Sequence, residues 1–244
     1  MNQTIHSMNN HRSIRKFLDK PIDDSILNEI IKATQSMPTS NNGQQVSIII
    51  VRDKNIKSKL SELSGNQPWI NKAPVFMVFI VDFYKSYLGA LKHKREQIIQ
   101  NSVEGIATGI LDSGIALGGA IVAAESLGLG TVAIGGVRQG ASEVIRLLNL
   151  PQYTLPINGL CIGHIADMST QKPRLNITTF AHHDSYHMEH LASDIDKYDL
   201  VMQDYLVSCG RSQEIDWSNH TSNIYKNHFG YLKSVLLEQG FDFN

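Results

Sequence analysis

The sequence has little cysteine, no excess of either charge and no apolar run at its start. Each shortage removes a class of protein. Two cysteines, Cys161 and Cys209, cannot staple a chain of 244 residues. No disulfide framework is therefore expected, and a reducing, cytoplasmic compartment fits best. Lys and Arg number 22 against 23 Asp and Glu, a net charge of −1. Nucleic-acid binders carry a basic excess, so no nucleic-acid partner is expected. The opening MNQTIHSMNN has no apolar stretch of the kind a signal peptide needs. There is no G-x-S-x-G and no evident nucleophile–base pair, so nothing suggests a hydrolase. Internal repeats and low-complexity linkers are missing too.

What the chain does have is apolar material, 42% of its residues, enough for one large domain or two small ones. One segment, VEGIATGILDSGIALGGAIVAAESLGL at 103–129, is long enough to cross a bilayer. Glu104, Asp112 and Glu125 interrupt it, and Asp112 inside a span costs up to about 3 kcal/mol. We expect a buried helix of a soluble protein, with no membrane partner. Its small residues let another backbone, or a second subunit, come close.

IDDSILNEIIKATQSM (22–37) reads as a helix with an apolar face at Ile26, Leu27, Ile30 and Ile31 and an N-cap at Asp23 or Asp24. Residues 56–63 and 141–148 read as shorter helices. VSIIIV (46–51), PVFMVFIVDF (74–83), TVAIGGV (131–137) and LPINGLCI (155–162) read as strands. From about residue 184 the pattern is polar and helical. The strands are thus confined to 46–165, with a helical extension behind them.

Several motifs have two readings each. HRSIRKF (11–17) packs His11, Arg12, Arg15 and Lys16 into six residues of a chain with no net basic character, so it asks for a local anion. GLGTVAIGG (128–136) has glycines around a strand, but a dinucleotide fingerprint runs strand, glycine turn, helix, and this order is different. Gly128 and Gly130 read as a helix C-cap. Gly135 and Gly136 read either as an ordinary turn or as backbone that a flat ligand can approach. QKPRL (171–175) sets Lys172 and Arg174 two apart around a proline, so extended backbone turns both to one side; a solvated loop is the alternative. SMPTSNNGQQ (36–45) is rich in hydrogen-bonding side chains, as a plain turn or as a cradle for a heterocycle. In HHDSYHMEH, His183 and His187 have helical i, i+4 spacing, but no cysteine is near and no metal is expected. Cys161 reads as a core residue of a strand, Cys209 as a loop residue.

HRSIRKF, the loop ending in GQQ, GNQPWI, AAESLGLGTVAIGGVR and KPRL occur here in one order. In that order the whole chain resembles the flavin-dependent nitroreductase superfamily, most of all its bacterial NAD(P)H-dependent flavin reductases and oxygen-insensitive nitroreductases. The resemblance implies an α+β nitroreductase-like fold in a single domain. A central mixed sheet of about four to five strands is flanked by helices (about 1–180), with a helical extension (about 181–244), in an intertwined homodimer. It implies tightly, non-covalently bound FMN and a ping-pong exchange of hydride from NADPH or NADH to free flavin, nitroaromatic or quinone acceptors. A non-catalytic flavin carrier or sensor is the alternative, and a Rossmann dehydrogenase a weaker one. By the family's pattern His11 and Ser13 lie near the phosphate and ribityl chain, Arg12 is among the cofactor-binding residues, and Arg15 lies near N1 and O2 of the ring. Thr39, Ser40, Asn41 and Asn42 come from the partner subunit. Gln67 faces the ring edge, the backbone of Ile134, Gly135 and Gly136 lies on the N5 side, and Lys172 and Arg174 close on the phosphate. Where relatives carry an arginine-rich stretch, SCGRSQEIDW (208–217) has only Arg211, with Glu214 and Asp216, which leaves the choice of nucleotide open. The loop near Asn42 and Gly43 also lacks an aromatic residue that some relatives place over the flavin.

Overall fold

A computed structural model of the chain describes residues 2–243. Among the described residues, 2–169 and 230–243 form one compact unit and 170–229 a second. The first is therefore not contiguous in sequence: the last residues return to it.

In the first unit the elements run α1 (Gln3–Asn9), α2 (Asp24–Gln35), β1 (Val46–Val51), α3 (Lys54–Leu63), α4 (Pro68–Lys72), β2 (Val75–Asp82), α5 (Tyr84–Lys92), α6 (Val103–Ser126), β3 (Gly130–Ile134), α7 (Ala141–Leu147) and β4 (Thr154–Gly163). The second unit holds α8 (Leu191–Ser208) and α9 (Trp217–Tyr225), and α10 (Lys233–Glu238) lies in the returning segment.

The strands lie in the order β1-β2-β4-β3, each pair antiparallel. A parallel bridge between Ser13 and Thr131 makes the sheet mixed along its β3 edge. This is an α+β sheet with flanking helices. A Rossmann dehydrogenase needs parallel strands, so that alternative falls. The interior place of β2 has its reason in its burial. All eight of its residues are buried, and its two faces alternate as a pleat requires. Val75, Met77 and Phe79 pack with Leu27 and Ile30 of α2 and Ala116, Ala120 and Ala124 of α6. Phe76, Val78 and Ile80 pack on the other face with Leu60, Ile70, Val132, Ile134 and Val144. Each such large side chain contributes about 1.5–3 kcal/mol by leaving water.

The apolar helix expected at 103–129 is α6, long and apolar enough to cross a membrane by length and composition. Only one face of it is buried in a single copy. On the sheet side a Cβ at Gly109 would stand 2.6 Å from Val81 Cγ1, so the small residue sets the packing distance. On the other side Leu111 is 65% exposed, and Gly114 and Gly118 have open space beside them. The expectation of burial on all sides is therefore corrected. Asp112, polar in this helix, is buried and accepts from the Ser40 N–H (3.1 Å) and from Gln45 Nε2 (2.6 Å).

Gly128, at φ +77°, ends α6 as expected, its N–H and that of Leu129 returning to Glu125 and Ala124. Gly130 does not share that role: it begins β3, where a Cβ would meet Ile14 at 2.8 Å. The third strand stops at Ile134, and Gly135–Arg138 turns into a short 3-10 helix. Three helices, α1, α4 and α5, lie where the sequence reading assigned none. The segment 182–190 is not helical, which removes the i, i+4 argument for His183 and His187.

Candidate functional site

HRSIRKF is tied to the β3 edge at Ser13 and Ile14, and at Lys16 and Phe17 to residues 165 and 166 just past β4. Ile14 is 2% exposed, and its N–H donates to the Thr131 carbonyl at 2.8 Å. Anchoring of this one apolar residue leaves its polar neighbours on the outside. His11 Nδ1 donates to Glu125 Oε1 at 2.7 Å. Arg12 donates to the carbonyl of Asn10. The Ser13 carbonyl accepts from Ser169 Oγ at 3.2 Å, which leaves its hydroxyl uncommitted among the described residues. Arg15 is exposed and its guanidinium lies 5.4 Å from the centroid of the Trp69 ring.

Trp69 belongs to α4, which Gln67 precedes as N-cap and Pro68 starts. Gln67 is held by its backbone, which exchanges bonds with Ser61, while its side-chain amide reaches toward Gly136. A Cβ on Gly136 would stand 2.2 Å from the Ser64 carbonyl, so only glycine fits there. The need for glycine at 136 is thus met inside the fold, by the approach of Ser64. Ile134 is buried by its side chain, leaving only its backbone to meet a ligand, and Gly135 is half-buried. The structure therefore brings Arg15, Gln67 and Gly136 into one neighbourhood through α4.

Thr39, Ser40, Asn41 and Asn42 keep different company. Asn41 and Asn42 adopt left-handed backbone at φ 52° and 53°, which asparagine tolerates. Thr39 Oγ1 accepts the Gln44 N–H, and Asp112 fastens Ser40 and Gln45 beneath them. Thr39 and Asn42 line a cavity of about 530 Å³ with Asp112, Met37 and Lys85. Sequence reasoning had noticed Asp112 and Glu125 only as interruptions of an apolar helix. That same signal, a carboxylate without an exposed face to occupy, marks both as supports of the loops they touch.

In the second unit Lys172 and Arg174 both line a cavity of about 790 Å³, with Tyr198, Trp217, Arg211 and Glu214 among its walls. Tyr198 OH donates to the Pro173 carbonyl at 2.9 Å and so holds the turn between the two cations. Tyr198, Met202 and Leu206, spaced four apart on α8, form the small core beneath. Arg211 and Glu214 pair at two points, Nη2–Oε2 being 2.6 Å. The hydrogen bond from Lys197 holds the Asp194 carboxyl below its usual range. Cys209 caps α8. Its thiol is held below its ordinary pKa, first by the Thr170 hydroxyl at 3.3 Å, with Tyr205, Ser208 and Arg211 adding to it. Cys161 is buried in β4, and burial pushes its thiol well up. Among the described residues no group of three or more His, Cys, Asp or Glu side chains is placed to hold a metal.

Taken unit by unit, the cations suit a phosphorylated flavin. Among the described residues Arg12, Arg15, Lys172 and Arg174 have no carboxylate at ion-pair distance, whereas Lys16, Arg52 and Arg146 each have one. Guanidinium and ammonium groups that no carboxylate answers are what a phosphate and an electron-rich ring require.

Comparison with known proteins agrees. The Nitroreductase family model matches residues 8–164 and the model of that family's C-terminal domain matches residues 172–244. The chain is 45% identical to an FMN reductase [NAD(P)H] of Bacillus subtilis, across 99% of this chain and 98% of that one. It is 36% identical to the NADPH-flavin oxidoreductase of Vibrio harveyi, across 91% and 90%. The structure of the hypothetical oxidoreductase YcnD from Bacillus subtilis superposes with a TM-score of 0.98 at 44% identity, covering all of both chains. The NADPH:FMN oxidoreductase of Vibrio harveyi complexed with NAD+ superposes at 0.87 and 33% identity, covering 97% of each. The chain belongs to the nitroreductase family, in its branch of NAD(P)H-dependent flavin reductases and nitroreductases.

Proposed function

We propose that the protein is an FMN-dependent oxidoreductase working by a ping-pong scheme. It takes hydride from NADPH or NADH and then delivers it to free flavin, a nitroaromatic compound or a quinone. FMN, when bound, supplies the hydride chemistry, so no protein acid or base is required for that step. The chain's own work is to hold the group and set the field around it. His11, Arg12, Ser13, Lys172 and Arg174 bind the phosphate end. Arg15, steadied on Trp69, places a positive charge toward N1 and O2. Gln67 and the backbone at 134–136 border the ring. The observation that carries this reading is Arg15 held over Trp69, in one neighbourhood with Gln67 and Gly136.

The same reading includes a homodimer, with Thr39 to Asn42 contributed by the partner subunit. The open strip on α6, at Leu111, Gly114 and Gly118, is an apolar surface of the kind a second copy covers. Use of NADH beside NADPH is supported by Arg211, whose charge Glu214 already answers.

Purified protein is expected to be yellow. It should oxidise NADH and NADPH with a quinone or nitroarene acceptor and give parallel double-reciprocal lines. Flavin that stays bound but supports no turnover would reject the enzyme in favour of a carrier. A monomer that keeps its full flavin in sedimentation would reject the shared site.

A further inference from the structure

A carboxylate stands beside a segment that awaits an anion, and its bonding explains its presence. Glu125 lies in the last turn of α6, where no basic residue accompanies it. The negative end of the helix disfavours a carboxylate in that place. Its side chain is only 13% exposed. One oxygen, Oε1, accepts from His11 Nδ1 and from Thr131 Oγ1, each at 2.7 Å. Thr131 in turn accepts the Ile14 N–H through its carbonyl. A single atom thereby joins α6, β3 and the segment 11–14.

This pairing decides what the His11 ring offers to a ligand. A carboxylate has no proton to give, so the hydrogen is on Nδ1. A neutral imidazole with that hydrogen presents a lone pair at Nε2, which repels an anion. Only the doubly protonated ring donates at both nitrogens, to Glu125 on one side and to an anion on the other. The residues beside the pair are Ser7 and Met8 of α1 and Gly118, Ile121 and Val122 of α6, none of which titrates. From β3 comes Thr131. Arg12 donates to the Asn10 carbonyl, and His6 of α1 is bonded to Asn10. Glu125 is the carboxylate that answers His11.

We propose that Glu125 makes His11 a proton-coupled ligand: the ring draws one proton from solvent onto Nε2 as the FMN phosphate binds and returns it as the phosphate leaves. No bond other than N–H changes and nothing is oxidised. The proposal rests on the reading that His11 meets the phosphate. Glu125 is a positioning residue that acts through His11.

The test is calorimetric titration of the flavin-stripped full chain with FMN near pH 8, in two phosphate-free buffers of different ionisation enthalpy. The second ionisation of a phosphate monoester lies near about 6, so the ligand adds no proton of its own. Wild type is expected to take up protons. The uptake should vanish in His11→Gln and fall in Glu125→Gln, whose amide oxygen still accepts from Thr131. FMN affinity of the wild type should fall by up to about tenfold per pH unit above pH 8, the limit for one linked proton. The His11→Gln profile should be flat, as should that of wild type with riboflavin, which has no phosphate. An equal proton count in wild type and His11→Gln, with weaker FMN binding in the variant, overturns the proposal and leaves His11 a phosphate contact of fixed charge. Equal FMN affinity in the two overturns the phosphate reading as well. Should Glu125→Gln fail to fold, the His11→Gln comparison decides alone.

Discussion

The guanidinium of Arg15 lies over the indole of Trp69, 5.4 Å from the ring centroid, across 54 positions of sequence. An exposed arginine otherwise samples many rotamers, and a cation–π contact worth about 0.5–1 kcal/mol narrows that range. If Arg15 faces N1 and O2, its charge interacts more strongly with reduced than with oxidised flavin. Arg15→Gln should then lower the reduction potential of bound FMN, by about 30 mV for about 1.4 kcal/mol of differential interaction. Trp69→Leu should move it in the same direction by less. Spectroelectrochemistry of variants reconstituted with excess FMN reads both, and an unchanged potential in Arg15→Gln removes the assignment.

On the proposed reading, Lys172→Ala with Arg174→Ala removes two charge-assisted contacts of about 1.5–3 kcal/mol each. The double variant should be purified with much of its FMN missing, while its affinity for riboflavin changes little. Retention of FMN at wild-type affinity would identify QKPRL as a solvated loop.

Asp112→Ala leaves the Ser40 N–H and the buried Gln45 amide without their acceptor. A buried donor without a partner costs about 1–3 kcal/mol, so the urea midpoint should fall accordingly. Asp112→Asn, which keeps one acceptor oxygen, should lose less. Equal stability of Asp112→Ala and wild type would show that the loop 39–45 holds itself.

Glu214→Gln frees the Arg211 guanidinium from its ion pair. The ratio of kcat/KM for NADPH over NADH is expected to rise several-fold, since a 2′-phosphate then meets an unanswered charge. A ratio that stays constant places the ribose away from Arg211.

Cys209 should react first with iodoacetamide in the native protein. Its depressed pKa puts more thiolate at neutral pH than an ordinary thiol has, and alkylation should rise with pH through a midpoint below the usual thiol range. Thr170→Val removes the leading hydrogen bond and should move that midpoint upward. Cys161, buried and with its pKa raised, should react only on unfolding. Simultaneous labelling of both cysteines would contradict this order.

The parts of the fold that local pattern governs were legible in the sequence. VSIIIV is a strand from end to end, and the second and fourth strands differ from expectation only at their ends, because β-branched runs and burial on both faces leave little choice. The short helices α1 and α4 were not legible, since they have little apolar face to betray them, whereas α5 does have a stripe at Tyr84, Tyr87, Leu88 and Leu91 that the sequence reading passed over. Long-range pairings were also hidden. Asp112 with Gln45 and Glu125 with His11 bridge 67 and 114 positions, and nothing in either neighbourhood names the partner. The proposed site was visible as a set of cations and amides, but the carboxylates that brace it came only from the structure.

The return of the chain's last described residues to the first unit sets an order of events at the ribosome. Phe241 is fully buried against Phe83, their rings edge to face at 6.3 Å, in a cluster with Leu155 and Val235. A nascent chain emerges N-terminus first, so the strands from 46 to 163 are free to pair while residues 170–229 are still being made. The seam around Phe83 and Leu155 closes only when Phe241 has left the exit tunnel. Translation that stalls within the second unit thus releases a paired sheet with one apolar seam still open, a natural substrate for chaperones.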